Sequence, residues 1–123
     1  MAVARYLVDD VEAAIAFYTD RLGFTLDERM GPAFAIVTHH DLTLWLSGPA
    51  SSAARPMPDG SQPAPGGWNR IVVVVDDIAA RVEALKRDGM HFRNEIVTGP
   101  GGKQILLEDP SDNIVELFQP RAR

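Results

Sequence analysis

The chain contains no cysteine, so disulfides, thiolate metal sites and a thiol nucleophile are excluded at once. It has no basic stripe either: 12 Lys and Arg stand against 17 Asp and Glu, for a net charge of -5 and a pI near 5.0. Nucleic acid is therefore not the expected partner, because neutralising phosphates takes clustered cations. No apolar run approaches the roughly 20 residues that span a bilayer, and no membrane association is expected. The opening residues Met1-Ala2-Val3-Ala4-Arg5 run straight into a strand pattern, without the basic, apolar and small-residue order of a secretory signal. The expectation is a soluble protein of the cytoplasm. With 46% hydrophobic residues in 123, the length fits one domain with a real core.

What the chain does contain is an internal repeat. Val8-Asp9-Asp10 recurs unchanged as Val75-Asp76-Asp77. An apolar run precedes each copy, Val3 to Leu7 in one and Ile71 to Val74 in the other. An amphipathic stretch follows each, led by Val11 and by Ile78. Each half closes on an alternating, strand-like segment ending in proline, at Leu42–Pro49 and Asn113–Pro120. Two versions of one strand-helix-strands unit are expected. Each unit must bury an apolar face, and the space between the two is the natural place for a ligand.

The elements follow from periodicity. Residues 3 to 8 alternate as a strand, and Asp10 is placed to cap a helix. Apolar residues at 11, 14, 15, 18 and 22 have helical spacing, with Gly23 as the stop. Strands are expected at 24–30, 33–38 and 42–47, divided by Gly31-Pro32 and His40-Asp41. In the second half the expectation is a strand over 70–75 and a helix over 78–88 stopped by Gly89. Strands at 90–97, 103–108 and 113–118 complete it, with Gly99-Pro100-Gly101-Gly102 read as a hairpin turn. Between the halves, every residue from Pro49 to Gly67 except Arg55, Met57, Asp59 and Gln62 is Pro, Gly, Ser or Ala. Such a segment is a flexible linker or a lid over a ligand, and its prolines keep it from pairing with a sheet edge.

Two stretches carry a family resemblance. One is Val8-Asp9-Asp10-Val11 followed by Phe17-Tyr18-Thr19-Asp20-Arg21-Leu22-Gly23-Phe24. The other is Asp109-Pro110-Ser111-Asp112-Asn113-Ile114-Val115-Glu116-Leu117. Together they resemble the vicinal oxygen chelate superfamily, which includes glyoxalase I, extradiol dioxygenases and bleomycin-resistance proteins. The resemblance implies an α+β fold of two βαβββ modules (1–48 and 68–123, joined by the 49–67 segment). Their sheets would curl into a cup with the helices outside, and two-module members commonly pair as homodimers. It is specific for fold rather than for chemistry, because one scaffold hosts several reactions.

In the metal-dependent members of that superfamily, each module gives one ligand from its first strand and one from its last. Counted from the repeated aspartates, those positions fall here on Val3, Trp45, Arg70 and Glu116. Only Glu116 can bind a divalent metal. A catalytic centre typically needs three protein ligands, Val and Trp offer no useful lone pair, and Arg places a fixed positive charge where the cation would sit. No metal and no other cofactor is therefore expected. If the modules' first and last strands are neighbours, Arg70 and Glu116 should form a cross-strand ion pair, which is either structural or also contacts a ligand. Trp45 is either core or pocket lining, and Trp68 either stacks on a ligand or anchors the loop. Arg5 and Leu7 share the face of Val3 by period-two alternation, and Phe118 shares that of Glu116. Val72 and Val74 join the same apolar lining. Phe17 and Tyr18 belong to the core, with the Tyr18 hydroxyl reaching a surface partner. His39 and His40 are adjacent at a turn, where opposite orientations would prevent joint chelation, and His91 has no ligand-like spacing.

Three functions compete on this reading. The first is a metal-free protein that binds a small molecule, such as an aromatic natural product or antibiotic, through Val3, Arg5, Leu7, Trp45, Trp68, Arg70, Val72, Glu116 and Phe118. Such a lining is mostly apolar with few polar anchors, as small-molecule pockets generally are. The second is a metal-dependent lyase, isomerase or dioxygenase. The third is metal-independent catalysis with Glu116 as candidate base.

Overall fold

The structure, a computed structural model, describes residues 1–122. It is an α+β protein of two βαβββ modules, each built on a four-stranded mixed sheet. The first sheet contains β1 (Ala4–Leu7), β2 (Thr25–Met30), β3 (Phe34–His39) and β4 (Leu42–Ser47), in the order β1-β4-β3-β2. The second contains β5 (Ile71–Val74), β6 (Val97–Gly99), β7 (Gly102–Glu108) and β8 (Ile114–Pro120), in the order β5-β8-β7-β6. In each sheet the first strand runs parallel to the last, and the remaining pairings are antiparallel. A parallel pair needs a crossover, which helices α1 (Val11–Ala16) and α2 (Ile78–Arg87) provide. Two compact units result: Met1–Gly66 with Asp109–Asn113, and Gly67–Glu108 with the chain from Ile114.

In unit one, the Asp10 carboxylate accepts from the Ala13 amide at 3.1 Å and caps α1 as expected. Val11, Ala14 and Ile15 turn inward. The α-helix expected over 11–22 stops at Ala16, and Phe17–Arg21 widen into a π-helical turn. Thr19 accompanies the change by donating its hydroxyl to the Ile15 carbonyl at 2.7 Å. The wider turn places two consecutive aromatics in the core, Phe17 and Tyr18, their rings edge to face at 5.0 Å. On the sheet, Ala35, Val37, Leu44 and Leu46 are wholly buried, while Phe34, Ile36 and Trp45 alternate with them onto the open face. Each fully buried leucine or valine contributes about 1.5–3 kcal/mol.

The β7–β8 turn, Asp109–Asn113, closes unit one with a buried polar cluster. The Asp109 carboxylate accepts from the Ser111 amide (2.8 Å), the Asn113 amide (2.9 Å), the Asn113 side chain (3.0 Å) and the Tyr18 hydroxyl (2.9 Å). Asn113 also donates to the Leu7 carbonyl and accepts from the Gly66 amide, each at 2.8 Å. Tyr18 therefore meets a buried carboxylate, not the surface partner expected from sequence. Burial pushes both groups' pKa values up, with the Asp109 charge adding to the effect on Tyr18. The segment from Pro49 carries one 3₁₀ turn, Ser52–Ala54, and ends on the Gly66–Asn113 bond.

Unit two repeats the design. Asp77 caps α2 by accepting from the Ala80 amide at 3.1 Å, and the Gln119 side chain accepts from the Ile78 amide at 2.9 Å. Ile78, Val82 and Leu85 are buried, as are Ile105, Leu107, Val115 and Leu117 of the sheet. The strand expected over 90–97 does not form beyond a single bridge between Phe92 and Leu107. There the Asn94 side chain takes the Leu106 amide at 3.0 Å, replacing a ladder partner with a local polar bond. Only Val97–Gly99 pairs regularly with β7. The hairpin at 99–102 is as expected, and Gly102 needs to be glycine. Its φ is +151°, and a Cβ there would strike the Gln119 carbonyl.

Candidate functional site

The open face of the first sheet carries the module-one candidates. Arg5 pairs in register with Trp45, and Leu7 with Ser47, so alternation sets Arg5, Leu7, Trp45 and Ser47 on one face. Val3 precedes β1 and is half-buried. The Arg5 guanidinium lies over the Trp45 ring, 5.0 Å from its centroid, and Phe34 meets the same indole edge to face at 5.6 Å. Trp45 is thus half-buried and sandwiched, the platform on which Arg5 rests. A pocket of about 400 Å³ opens beside it, lined by Arg5, Met30, Ala33, Phe34, Ser47 and the Ala50–Ser52 turn. Trp45 does not line it. Ser47 and Phe34 were not singled out from sequence, although the alternation that places Trp45 outward also places Ser47 outward. Phe34 likewise follows from the inward Ala35 and Val37.

On the second sheet Val72, not Arg70, is the register partner of Glu116. Arg70 lies just before β5 and reaches Glu116 diagonally, its Nε donating to Glu116 Oε1 at 3.0 Å. This is the ion pair anticipated by counting from the repeated aspartates. The Glu116 side chain is 10% exposed and that of Arg70 28%, so the pair sits at the edge of solvent. Val72 and Val74 are about half exposed on the same face, and Phe118 is half-buried. Trp68 is 71% exposed, with the Arg93 guanidinium 5.5 Å from its ring. Arg93 in turn donates to Glu108 at 2.9 Å.

These side chains do not fit a divalent metal. Val3, Trp45 and Arg70 have no anionic or neutral lone pair to give, and Arg70 engages the carboxylate of Glu116. Among the described residues no group of three or more His, Asp or Glu is arranged to hold an ion. The histidines depart from expectation in one respect. His40 adopts a left-handed conformation, φ +52°, which swings its ring to 4.5 Å from that of His39 rather than to the opposite face. His39 itself stacks on Phe24 at 4.9 Å. His91 is exposed, 3.8 Å from Glu108.

Comparison with known proteins agrees with this architecture. A sequence model of the Glyoxalase/Bleomycin resistance protein/Dioxygenase superfamily matches residues 2–117, and the chain belongs to that superfamily. The uncharacterized protein YwbC of Bacillus subtilis (strain 168) is 30% identical over 122 residues, covering 92% of this chain and 91% of its own. Among solved structures, TnmS3, an antibiotic binding protein from Streptomyces sp. CB03234, superposes with a TM-score of 0.71 at 26% identity, over 98% of this chain and 97% of that one. The lactoylglutathione lyase of Agrobacterium tumefaciens superposes with a TM-score of 0.74 at 20% identity, over 97% and 92% of the two chains. At that identity the likeness to the lyase concerns the fold.

Proposed function

We propose that this protein binds a small aromatic or amphipathic molecule without a metal ion, on the open faces of its sheets. The observation that carries the proposal is the set of side chains at the superfamily's ligand positions. Val3 and Trp45 are not donors, and Arg70 and Glu116 neutralise each other at 3.0 Å. An aromatic such as Phe34, which lines the pocket, offers stacking area with few rotatable bonds. The likeness to an antibiotic binding protein at 26% identity favours an antibiotic or a related aromatic natural product as the ligand class. Catalysis by Glu116 as a base is the weaker reading, because its carboxylate is already engaged by the Arg70 guanidinium at 3.0 Å. We further place the protein in the cytoplasm as a homodimer; no described helix is long and apolar enough to cross a membrane.

Two measurements test this. Elemental analysis of the purified protein, before and after incubation with zinc, nickel, iron or manganese, should find no stoichiometric metal. About one equivalent, lost in Glu116→Gln, would refute the metal-free reading. A screen of aromatic compounds by Trp45 fluorescence, in a Trp68→Phe background, should find ligands that are recovered chemically unchanged. Recovery of an altered compound would replace binding by catalysis.

A further inference from the structure

The pocket on the open face of the first sheet has a chemistry of its own, and naming it rests on the binding function proposed above. Its walls are apolar at Met30, Ala33 and Phe34, and Arg5 and Ser47 are the charged and buried polar residues among its lining. Ser47 is 1% exposed, and its hydroxyl has no hydrogen-bond partner among the described residues. A buried hydroxyl left without a partner is unfavourable and rare in folded proteins. Among the described residues Arg5 has no carboxylate within ion-pair distance, although the chain as a whole is acidic, with 17 Asp and Glu. Its guanidinium is held over Trp45, so the fork of donors is already oriented. The Ser51 hydroxyl is not a third anchor, since it donates to the Gly48 carbonyl at 2.6 Å. Glu28, whose register partner is Ile36, shares the face but does not line the pocket.

We propose that this pocket receives an aromatic ligand bearing an anionic group (a carboxylate, sulfonate or phosphate) whose charge is met by Arg5 and whose remaining acceptor is met by the Ser47 hydroxyl. Phe34 and Met30 enclose the ring. An anion supplies what each polar group lacks: a counter-charge for Arg5 and an acceptor for Ser47. A neutral amide satisfies the hydroxyl alone, and a cation is repelled by Arg5. At about 400 Å³, the pocket is at the small end of ligand sites and suits one or two fused rings.

The probes are 2-naphthoate, the neutral isostere 2-naphthamide and the cation 2-naphthylmethylamine, titrated against the Trp68→Phe protein with Trp45 fluorescence and calorimetry. Naphthoate should bind about tenfold or more tighter than naphthamide, the margin of one charge-assisted contact, and the amine weakest. In Arg5→Gln the naphthoate-to-naphthamide ratio should fall to about one, whereas Arg29→Gln, which removes the same charge away from the pocket, should preserve it. Ser47→Ala should weaken naphthoate several-fold and yet raise the melting temperature of the ligand-free protein, because a stranded hydroxyl is gone. Equal binding of all three probes would overturn the anionic assignment and leave small-molecule binding standing. No binding of any probe would remove both. A lower melting temperature in Ser47→Ala would show that the hydroxyl already has its partner, and would overturn its role here.

Discussion

Removing either half of the Arg70–Glu116 pair should have unequal costs, and the asymmetry can be worked out from burial. Arg70→Met leaves a carboxylate that is 10% exposed with no cation beside it; Glu116→Gln leaves a guanidinium that is 28% exposed. Breaking a fully buried pair costs about 3–5 kcal/mol, and exposed pairs contribute about 0.2–1 kcal/mol. The stranded carboxylate lies nearer the first limit and the stranded guanidinium nearer the second. Glutamine also keeps an acceptor for the Arg70 Nε donor. Expected losses are therefore about 2 kcal/mol for Arg70→Met and about 1 kcal/mol for Glu116→Gln. The double variant strands no charge, so it should lose about 2 kcal/mol rather than 3, a coupling of about 1 kcal/mol. Urea unfolding of the four proteins at constant m-value gives each term. Losses that add within about 0.4 kcal/mol, or a larger loss for Glu116→Gln than for Arg70→Met, would refute the pairing.

Other expectations concern the frame around the site. Burial raises the Asp109 pKa, against the pull of its Asn113, Ser111 and Tyr18 donors, so the native state holds that proton more tightly than the unfolded chain does. Its contribution to stability is complete below about pH 4 and is lost as the pH rises through the folded-state value. Asp109→Asn should accordingly flatten the decline of stability as the pH rises above about 4, and a steeper decline would contradict the assignment. Gly102→Ala should cost about 2 kcal/mol or more, because the new methyl meets the Gln119 carbonyl. Gly99→Ala, with no atom closer than 4.0 Å, should cost less than about 1 kcal/mol, and equal costs would exclude the clash as the cause. Light scattering at micromolar concentration should give the mass of a dimer, and 13.4 kDa would count against it.

Local periodicity made most of the fold legible. The repeated Val-Asp-Asp turns, the apolar spacing of both helices and the alternating strands all lie within a few residues of their physical cause. The structure follows them closely at α2, β3, β4 and β7. Where the reading failed, a competing local interaction had won. Asn94 took a ladder amide, the helix expected over 11–22 gave way after Ala16 to a widened turn, and the Tyr18 hydroxyl found the buried Asp109. The Arg70–Glu116 pair was accessible from sequence because counting from a repeat brought both residues to the same end of neighbouring strands, although Val72 is the register partner of Glu116 and Arg70 reaches it diagonally.

The sequence by itself determined the two-module α+β frame, the exclusion of thiol chemistry and the poverty of metal donors at Val3, Trp45 and Arg70, since these depend only on residue type and spacing. It could not determine what occupies each hydroxyl and each charge. That Tyr18 meets Asp109 across 91 residues of chain, that Trp45 carries Arg5 beside a pocket it does not line, and that the buried Ser47 hydroxyl has no hydrogen-bond partner among the described residues are facts of tertiary packing. They depend on strands that are distant in sequence and adjacent in space, and on which polar groups the closing of unit one left unsatisfied.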